Sequence, residues 1–190
     1  MKPTIILLPG NGGASPTRDH WFPWLINELR QLGFTVVARD MPDPQLAHRH
    51  IWLPFIKNEL QAGEHSIIVG HSSGGVAALR FLETNRLFGA IVVGVNYTDL
   101  GMPDEKEAGW YKDLWQWDKI KQNAVFISHF AGTDDPFIPI EEQRYISQKL
   151  GSDYHEFTDR GHFMISDNPL NTTFPELLEV IIKQTENYLS

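Results

Sequence analysis

The feature that most constrains this chain is a regular alternation of short apolar runs with longer segments of helical period. Thr4–Leu8, Thr35–Ala38, Ser66–Val69, Ala90–Val93, Val125–Phe130 and Tyr154–Phe157 are short runs rich in β-branched residues, and they read as strands. The first five are nearly continuous in apolar character, as strands covered on both faces must be. Between them Trp21–Leu32, Leu53–Leu60, Gly74–Glu83 and Glu141–Leu150 repeat apolar residues at helical spacing. Gly33 and Gly151 follow two of these helices at positions suited to a left-handed stop. Phe174–Leu189 reads as a closing helix, with Thr173 as its expected N-cap and Pro175 in its first turn. Strand–helix alternation packs helices on both faces of a parallel sheet. The expectation is an α/β fold, a three-layer α/β/α sandwich with a six-stranded, mainly parallel sheet of order 2-1-3-4-5-6. One domain over residues 1–190 is expected.

Composition narrows what such a fold can do. A chain of 190 residues, 42% hydrophobic and 21% charged, buries one substantial core. The formal net charge of −8 argues against a nucleic-acid partner, which binds through Lys and Arg. The chain has no cysteine, so disulfides, thiolate chemistry and Cys-based zinc sites are excluded. The first apolar run is too short for a signal sequence, and no stretch approaches the roughly 20 residues a membrane span needs. A cytoplasmic, monomeric protein with no membrane partner is expected.

One segment breaks the rhythm. Residues 96–122 are polar and loop-like, yet hold Trp110, Tyr111, Trp115 and Trp117. These aromatics either pack the excursion onto the body or wall a binding cleft as a small cap, and both can hold.

The third strand runs into Gly70-His71-Ser72-Ser73-Gly74-Gly75 and then the helical Val76-Ala77-Ala78-Leu79. This is G-x-S-x-G in its required setting, a sharp turn from strand to helix that lifts a nucleophilic serine above the sheet. Glycines flank Ser72 because side chains there would meet the neighbouring strand and helix. In this arrangement the acid follows a later strand, and the base lies on a loop near the end of the chain. The fifth strand leads to Thr133-Asp134-Asp135-Pro136-Phe137-Ile138-Pro139, and either aspartate lies where the acid belongs. Asp135 is preferred, because the prolines around it make a rigid turn that fixes a carboxylate. His162, after Gly161 and just beyond the sixth strand, is the expected base. His155 lies inside a strand and is the weaker candidate. His48 and His50 suit neither a helix face nor a metal cluster, so no metal is expected. His71 is expected to pack or hydrogen-bond.

These parts make acyl transfer chemically complete. His162 takes the Ser72 proton during attack and returns it to the leaving group, while Asp135 fixes the tautomer. The oxyanion needs two backbone donors, for which the Ser73 and Asn11 N–H groups are the candidates. Gly10-Asn11-Gly12-Gly13-Ala14-Ser15, with Asp40 ending the second strand, partly imitates a dinucleotide fingerprint. Ser15 replaces the third glycine and Pro16 follows, so the loop runs too long for a pyrophosphate to rest on the helix. No cofactor is expected.

Together Pro9-Gly10-Asn11-Gly12-Gly13, Met41-Pro42-Asp43-Pro44, Ile51-Trp52-Leu53-Pro54-Phe55, Gly70-His71-Ser72-Ser73-Gly74, Trp115-Gln116-Trp117, Thr133-Asp134-Asp135-Pro136-Phe137 and Gly161-His162-Phe163 resemble the retinoblastoma-binding protein nine family of small serine hydrolases. The resemblance implies a compact α/β-hydrolase fold, a triad at Ser72, Asp135 and His162, and turnover of small ester or aminoacyl-amide substrates. Binding to the retinoblastoma protein is not expected, because Ala62 in Leu60-Gln61-Ala62-Gly63-Glu64 replaces the cysteine of an L-x-C-x-E segment. The alternative, since a fold does not fix a function, is a non-catalytic binding module on the same scaffold.

Overall fold

The computed structural model describes residues 2–189. Its strands are β1 (Thr4–Leu8), β2 (Val36–Val37), β3 (Ser66–His71), β4 (Leu87–Val93), β5 (Ala124–Gly132) and β6 (Asp153–Phe157). Its helices are α1 (Phe22–Gln31), α2 (Arg49–Asn58), α3 (Ser73–Leu82), α4 (Pro103–Ala108), α5 (Trp117–Gln122), α6 (Ile140–Leu150) and α7 (Pro175–Leu189). The strands form one sheet of order β2-β1-β3-β4-β5-β6, with every neighbouring pair parallel. This is the expected three-layer α/β fold, all-parallel rather than mainly so.

The two outer layers follow from strand pleating. Ile5 and Leu7 face one side, against Phe22, Leu25 and Leu29 of α1 and Leu177 and Ile181 of α7. Ile6 and Leu8 face the other, against Trp52 and Ile56 of α2, Val76 and Leu79 of α3 and Ile146 of α6. β3 and β4 are buried along their whole length, which explains their unbroken apolar sequence. Each fully buried Leu, Ile or Phe contributes about 1.5–3 kcal/mol. Gly33 and Gly151 adopt the left-handed backbone their positions suggest, at φ 79° and 61°.

Several boundaries differ from the sequence reading. Only Val36 and Val37 of the second run pair, with Ile5 and Ile6, before the chain leaves the sheet edge. The helix read from Leu53 starts a turn earlier at Arg49, and Pro54 lies inside it. Thr173 is not adjacent to α7; its N–H closes a 3₁₀ turn over Pro169–Thr172 by donating to Leu170 O at 3.3 Å.

The excursion over residues 96–122 is not a plain loop, since it folds into α4 and α5. Arg80 of α3, fully buried, holds it down. Its Nε donates to Trp110 O at 2.8 Å and its guanidinium to Asp113 O at 2.9 Å and Glu83 Oε1 at 2.7 Å. The same guanidinium carbon lies 3.6 Å from the Trp115 ring centroid. Trp115 stacks on Trp117 and donates its indole N–H to Tyr97 O. Glu142 of α6 accepts from the Tyr97 and Thr98 amides and the Thr98 hydroxyl, which ties the start of the excursion to the body.

Candidate active site

The turn from β3 to α3 requires close backbone packing. A Cβ on Gly70 would strike the Gly74 carbonyl, and one on Gly74 the carbonyls of Leu8 and Pro9. A Cβ on Gly75 would strike Val95 and the Gly70 oxygen. Squeezed between these contacts, Ser72 adopts φ 53° and ψ −124°, a backbone conformation that costs a non-glycine residue about 1–3 kcal/mol. Its own N–H donates to Val93 O at 2.8 Å, and its carbonyl accepts from Gly75 and Val76. Ser73 opens α3, so its N–H belongs to the unsatisfied first turn of a helix whose positive end faces the serine.

β1 delivers the loop Pro9–Gly13 to the same place. A Cβ on Gly10 would lie 3.2 Å from that of Ser72, so this glycine lets the loop approach the nucleophile. The Gly12 and Gly13 amides are consumed by Gln45 O and Pro44 O, at 3.1 and 2.9 Å. The Asn11 N–H has no acceptor among the described residues.

The acid and base come from the ends of β5 and β6. His162 Nδ1–H donates to Asp135 Oδ2 at 2.7 Å, and the Asp135 side chain is wholly inaccessible to solvent. Asp135 Oδ1 accepts from the Phe137 and Ile138 amides at 2.9 and 3.0 Å, the turn its flanking prolines promised. Asp134 takes a different part, accepting the Gly161 N–H at 3.0 Å to hold the histidine loop. Asp167 accepts the His162 N–H at 2.9 Å, and His71 Nε2–H donates to the His162 carbonyl at 2.8 Å. Burial, with His162 and His20 nearby, pushes the His71 pKa well below the usual imidazole value. His71 is therefore neutral, and it packs and hydrogen-bonds as its sequence position suggested. With Nδ1 committed to Asp135, Nε2 is the His162 nitrogen free to take a proton.

Ser72 and His162 line one cavity of about 440 Å³. Its walls include Leu100, Met102 and Glu105 from the excursion and Phe137, Ile138 and Met164 from the β5 and β6 loops. Trp110, Tyr111, Trp115 and Trp117 are not among the lining residues, which corrects the expectation that they wall the pocket. Trp110 is fully buried against Trp52, and the other three pack on the core beside α3. The excursion does line the cavity, but through Asn96, Leu100 and residues 102–105.

His20 and Glu105 line the cavity without having been singled out in the sequence. His20, at φ 54°, accepts the Ile165 N–H on Nδ1, and burial lowers its pKa. No local pattern marks either residue, because each reaches the site through contacts with distant segments. The remaining candidates lie elsewhere. His155 stacks on Phe130 within β6, and His48 bonds Asp43 through Nδ1 at 2.7 Å. Asp40, which imitated a ribose-binding acid, accepts from the Ser15 hydroxyl and pairs with Arg18 at 3.8 Å.

A family model described as serine hydrolase matches residues 5–178. The serine hydrolase RBBP9 of Rattus norvegicus is 42% identical over 177 residues, covering 93% of this chain and 92% of that protein. The ydeN gene product of Bacillus subtilis superimposes with a TM-score of 0.85 at 25% identity, over 96% of this chain and 98% of that one. An esterase of Exiguobacterium antarcticum shares the fold at 15% identity, with a TM-score of 0.70 over 95% and 92% of the two chains.

Proposed function

Since the chain belongs to the serine hydrolase family, we propose that it cleaves small acyl substrates, esters and aminoacyl amides, through an acyl-enzyme on Ser72. The observation that carries this reading is the 2.7 Å bond from His162 to the enclosed Asp135 carboxylate, in a cavity that the strained Ser72 also lines. His162 Nε2 takes the Ser72 proton as Oγ attacks the acyl carbon, then gives it to the departing alcohol or amine. A water activated by the same nitrogen releases the acid and restores Ser72. Asp135 keeps the proton on Nδ1 and stabilises the imidazolium that forms. The Asn11 and Ser73 N–H groups, neither with an acceptor among the described residues, receive the charge that develops on the acyl oxygen.

Substrate size and character follow the cavity. Its volume is at the lower end of the range for small-molecule sites, and its apolar wall of Leu100, Met102, Pro103, Phe137, Ile138 and Met164 suits an apolar acyl or leaving group.

A fluorophosphonate probe tests the chemistry directly, alongside a panel of p-nitrophenyl esters and aminoacyl coumarin amides. Wild-type protein should label and turn over members of the panel. Ser72→Ala should do neither, and His162→Ala should lose at least ~10⁴-fold in kcat. A folded wild-type chain that stays unlabelled and inactive on every substrate would refute the proposal.

A further inference from the structure

The proposed chemistry leaves two carboxylates in the cavity wall without a part, the exposed Asp104 and the half-buried Glu105, both on α4, and only that of Glu105 is tied into the site by hydrogen bonds. Its Oε1 accepts from Asn11 Nδ2 at 3.1 Å and its Oε2 from the Tyr111 hydroxyl at 3.3 Å. No Lys or Arg among the described residues pairs with it. Burial raises its pKa, while the hydrogen bonds from Tyr111 and Asn11 work against that rise. Its two hydrogen-bond partners connect regions 94 and 6 residues away in sequence, and one of them carries the candidate oxyanion amide.

We propose that Glu105 is a positioning residue, which grips the Asn11 side chain and so holds the Asn11 N–H where the acyl oxygen needs it. This rests on the serine hydrolase reading above. The loop is anchored on its far side by the Gly12 and Gly13 amides, which donate to Gln45 O and Pro44 O. On its near side Gly10 abuts Ser72 and offers no side chain to hold. Asn11 lies between, and Glu105 accepts its side-chain hydrogen bond. The Tyr111 hydroxyl bonds the second oxygen of the carboxylate, and Tyr111 packs against the core cluster that includes Trp110. Left-handed residues bound α4, with Leu100 and Gly101 at φ 53° and 74° before it and Gly109 at 83° after it. The helix is thus a discrete unit between two turns, and Glu105 links it to the oxyanion loop.

Geometry at a reacting centre is steep in its effect, since a misplacement of about 1 Å can cost ~10²-fold in rate. Glu105→Ala should therefore lower kcat for a neutral p-nitrophenyl ester by ~10–100-fold, with KM held within about twofold. Affinity for a boronic-acid transition-state analogue should fall by the same factor. Glu105→Gln, whose amide oxygen can still accept from Asn11, should recover most of the rate. The Asn11→Ala/Glu105→Ala double variant should be no slower than Asn11→Ala alone, because both remove one linkage. Near-ultraviolet circular dichroism checks folding. Should Glu105→Ala misfold, Glu105→Asp, one methylene shorter, asks the same question.

Three results would overturn the inference: an unchanged kcat in a folded variant, additive losses in the double variant, or a loss confined to KM for cationic amides. The last would mean that the carboxylate reads a substrate ammonium instead. Ser72→Ala separates this inference from the reading beneath it. Turnover that survives Ser72→Ala sinks the hydrolase mechanism, whereas an inactive Ser72→Ala beside a fully active Glu105→Ala sinks the Glu105 role alone.

Discussion

The serine turn and the excursion over residues 96–122 both border the cavity, yet they are held by opposite means. At Gly70–Gly75 the geometry comes from absent side chains, because each glycine admits a neighbouring backbone where a Cβ would collide. The excursion is held by side chains present elsewhere, chiefly the buried Arg80–Glu83 pair at the C-terminal end of α3 and Glu142 on α6. The first kind of order is local and written in consecutive residues. The second depends on partners far along the chain.

The excursion side of this contrast should give the largest stability change. Arg80→Met removes the nearer of two cations from the buried Glu83, leaving only Arg49 at 3.8 Å, and leaves the Trp110 and Asp113 carbonyls without their donor. Breaking a buried pair by removing one member typically costs about 3–5 kcal/mol. Because Arg49 still faces Glu83, urea denaturation should show a loss at the lower end of that range, and limited proteolysis should begin within residues 111–118. Adding Glu83→Leu should recover part of the loss, since it removes a buried charge left with only Arg49 but leaves the orphaned carbonyls and the Gln116 N–H, which also donates to Glu83. A single variant as stable as wild type would mean that the aromatic packing alone holds the excursion.

Gly74→Ala makes the corresponding test of the turn. The new methyl group would meet the Leu8 and Pro9 carbonyls, and neither can retreat without parting β1 from β3. The expected cost is about 3 kcal/mol, at the upper end for overpacking a rigid site. Fluorophosphonate labelling should fall much more than in Arg80→Met, because the damage lies beneath the nucleophile.

The same contrast explains what could be read from the sequence. The strand order, the serine turn and the turn around Asp135 are visible because glycines, prolines and apolar runs act on their own neighbourhoods. The choice of Asp135 over Asp134 rested on Asp-Pro turn chemistry, and the amides of Phe137 and Ile138 do fix its carboxylate. The Thr173 cap and the start of α2 were misplaced because a 3₁₀ turn and the contact between His48 and Asp43 reset those helix ends. The aromatics of the excursion were drawn to the wrong surface for the same reason. Only the position of Arg80 shows that Trp115 covers a guanidinium, while the excursion's share of the cavity wall comes from Asn96, Leu100 and residues 102–105. Glu105 was invisible, because the partner that ties it to the site, Asn11, lies 94 residues away.

His129 strains the contrast, as a buried polar group in the body whose two ring nitrogens have no hydrogen-bond partner among the described residues. Burial on β5, opposed in part by the nearby Gln143 side chain, pushes its pKa from 6.5 to about 3. The unfolded chain therefore binds a proton in that interval while the folded chain does not, so stability is fully present above pH 6.5 and falls as the pH drops toward 3. Relative to its own stability at pH 7.5, wild type should lose about 2 kcal/mol more than His129→Leu by pH 5. Urea midpoints at the two pH values measure the difference. Parallel acid limbs in the two proteins would show that His129 gains a proton without unfolding.

The smallest effect should separate the two regions most cleanly, because the same substitution is expected to act with opposite sign in each. Ser72 and Leu100 both hold positive φ, at 53°, and glycine would relieve either backbone. At Ser72 the relief is about 1–3 kcal/mol, against about 0.4–1 kcal/mol for the greater freedom of glycine in the unfolded chain. Ser72→Gly should therefore raise stability by about 1 kcal/mol while abolishing labelling. Leu100 also gains some relief but gives up a half-buried side chain in the cavity wall, whose removal costs about as much or more. Leu100→Gly should thus be neutral or destabilising. Thermal denaturation of the two variants decides the matter. Were both stabilised, backbone strain would govern the excursion as it governs the serine turn, and the division between order from missing side chains and order from distant ones would not hold there.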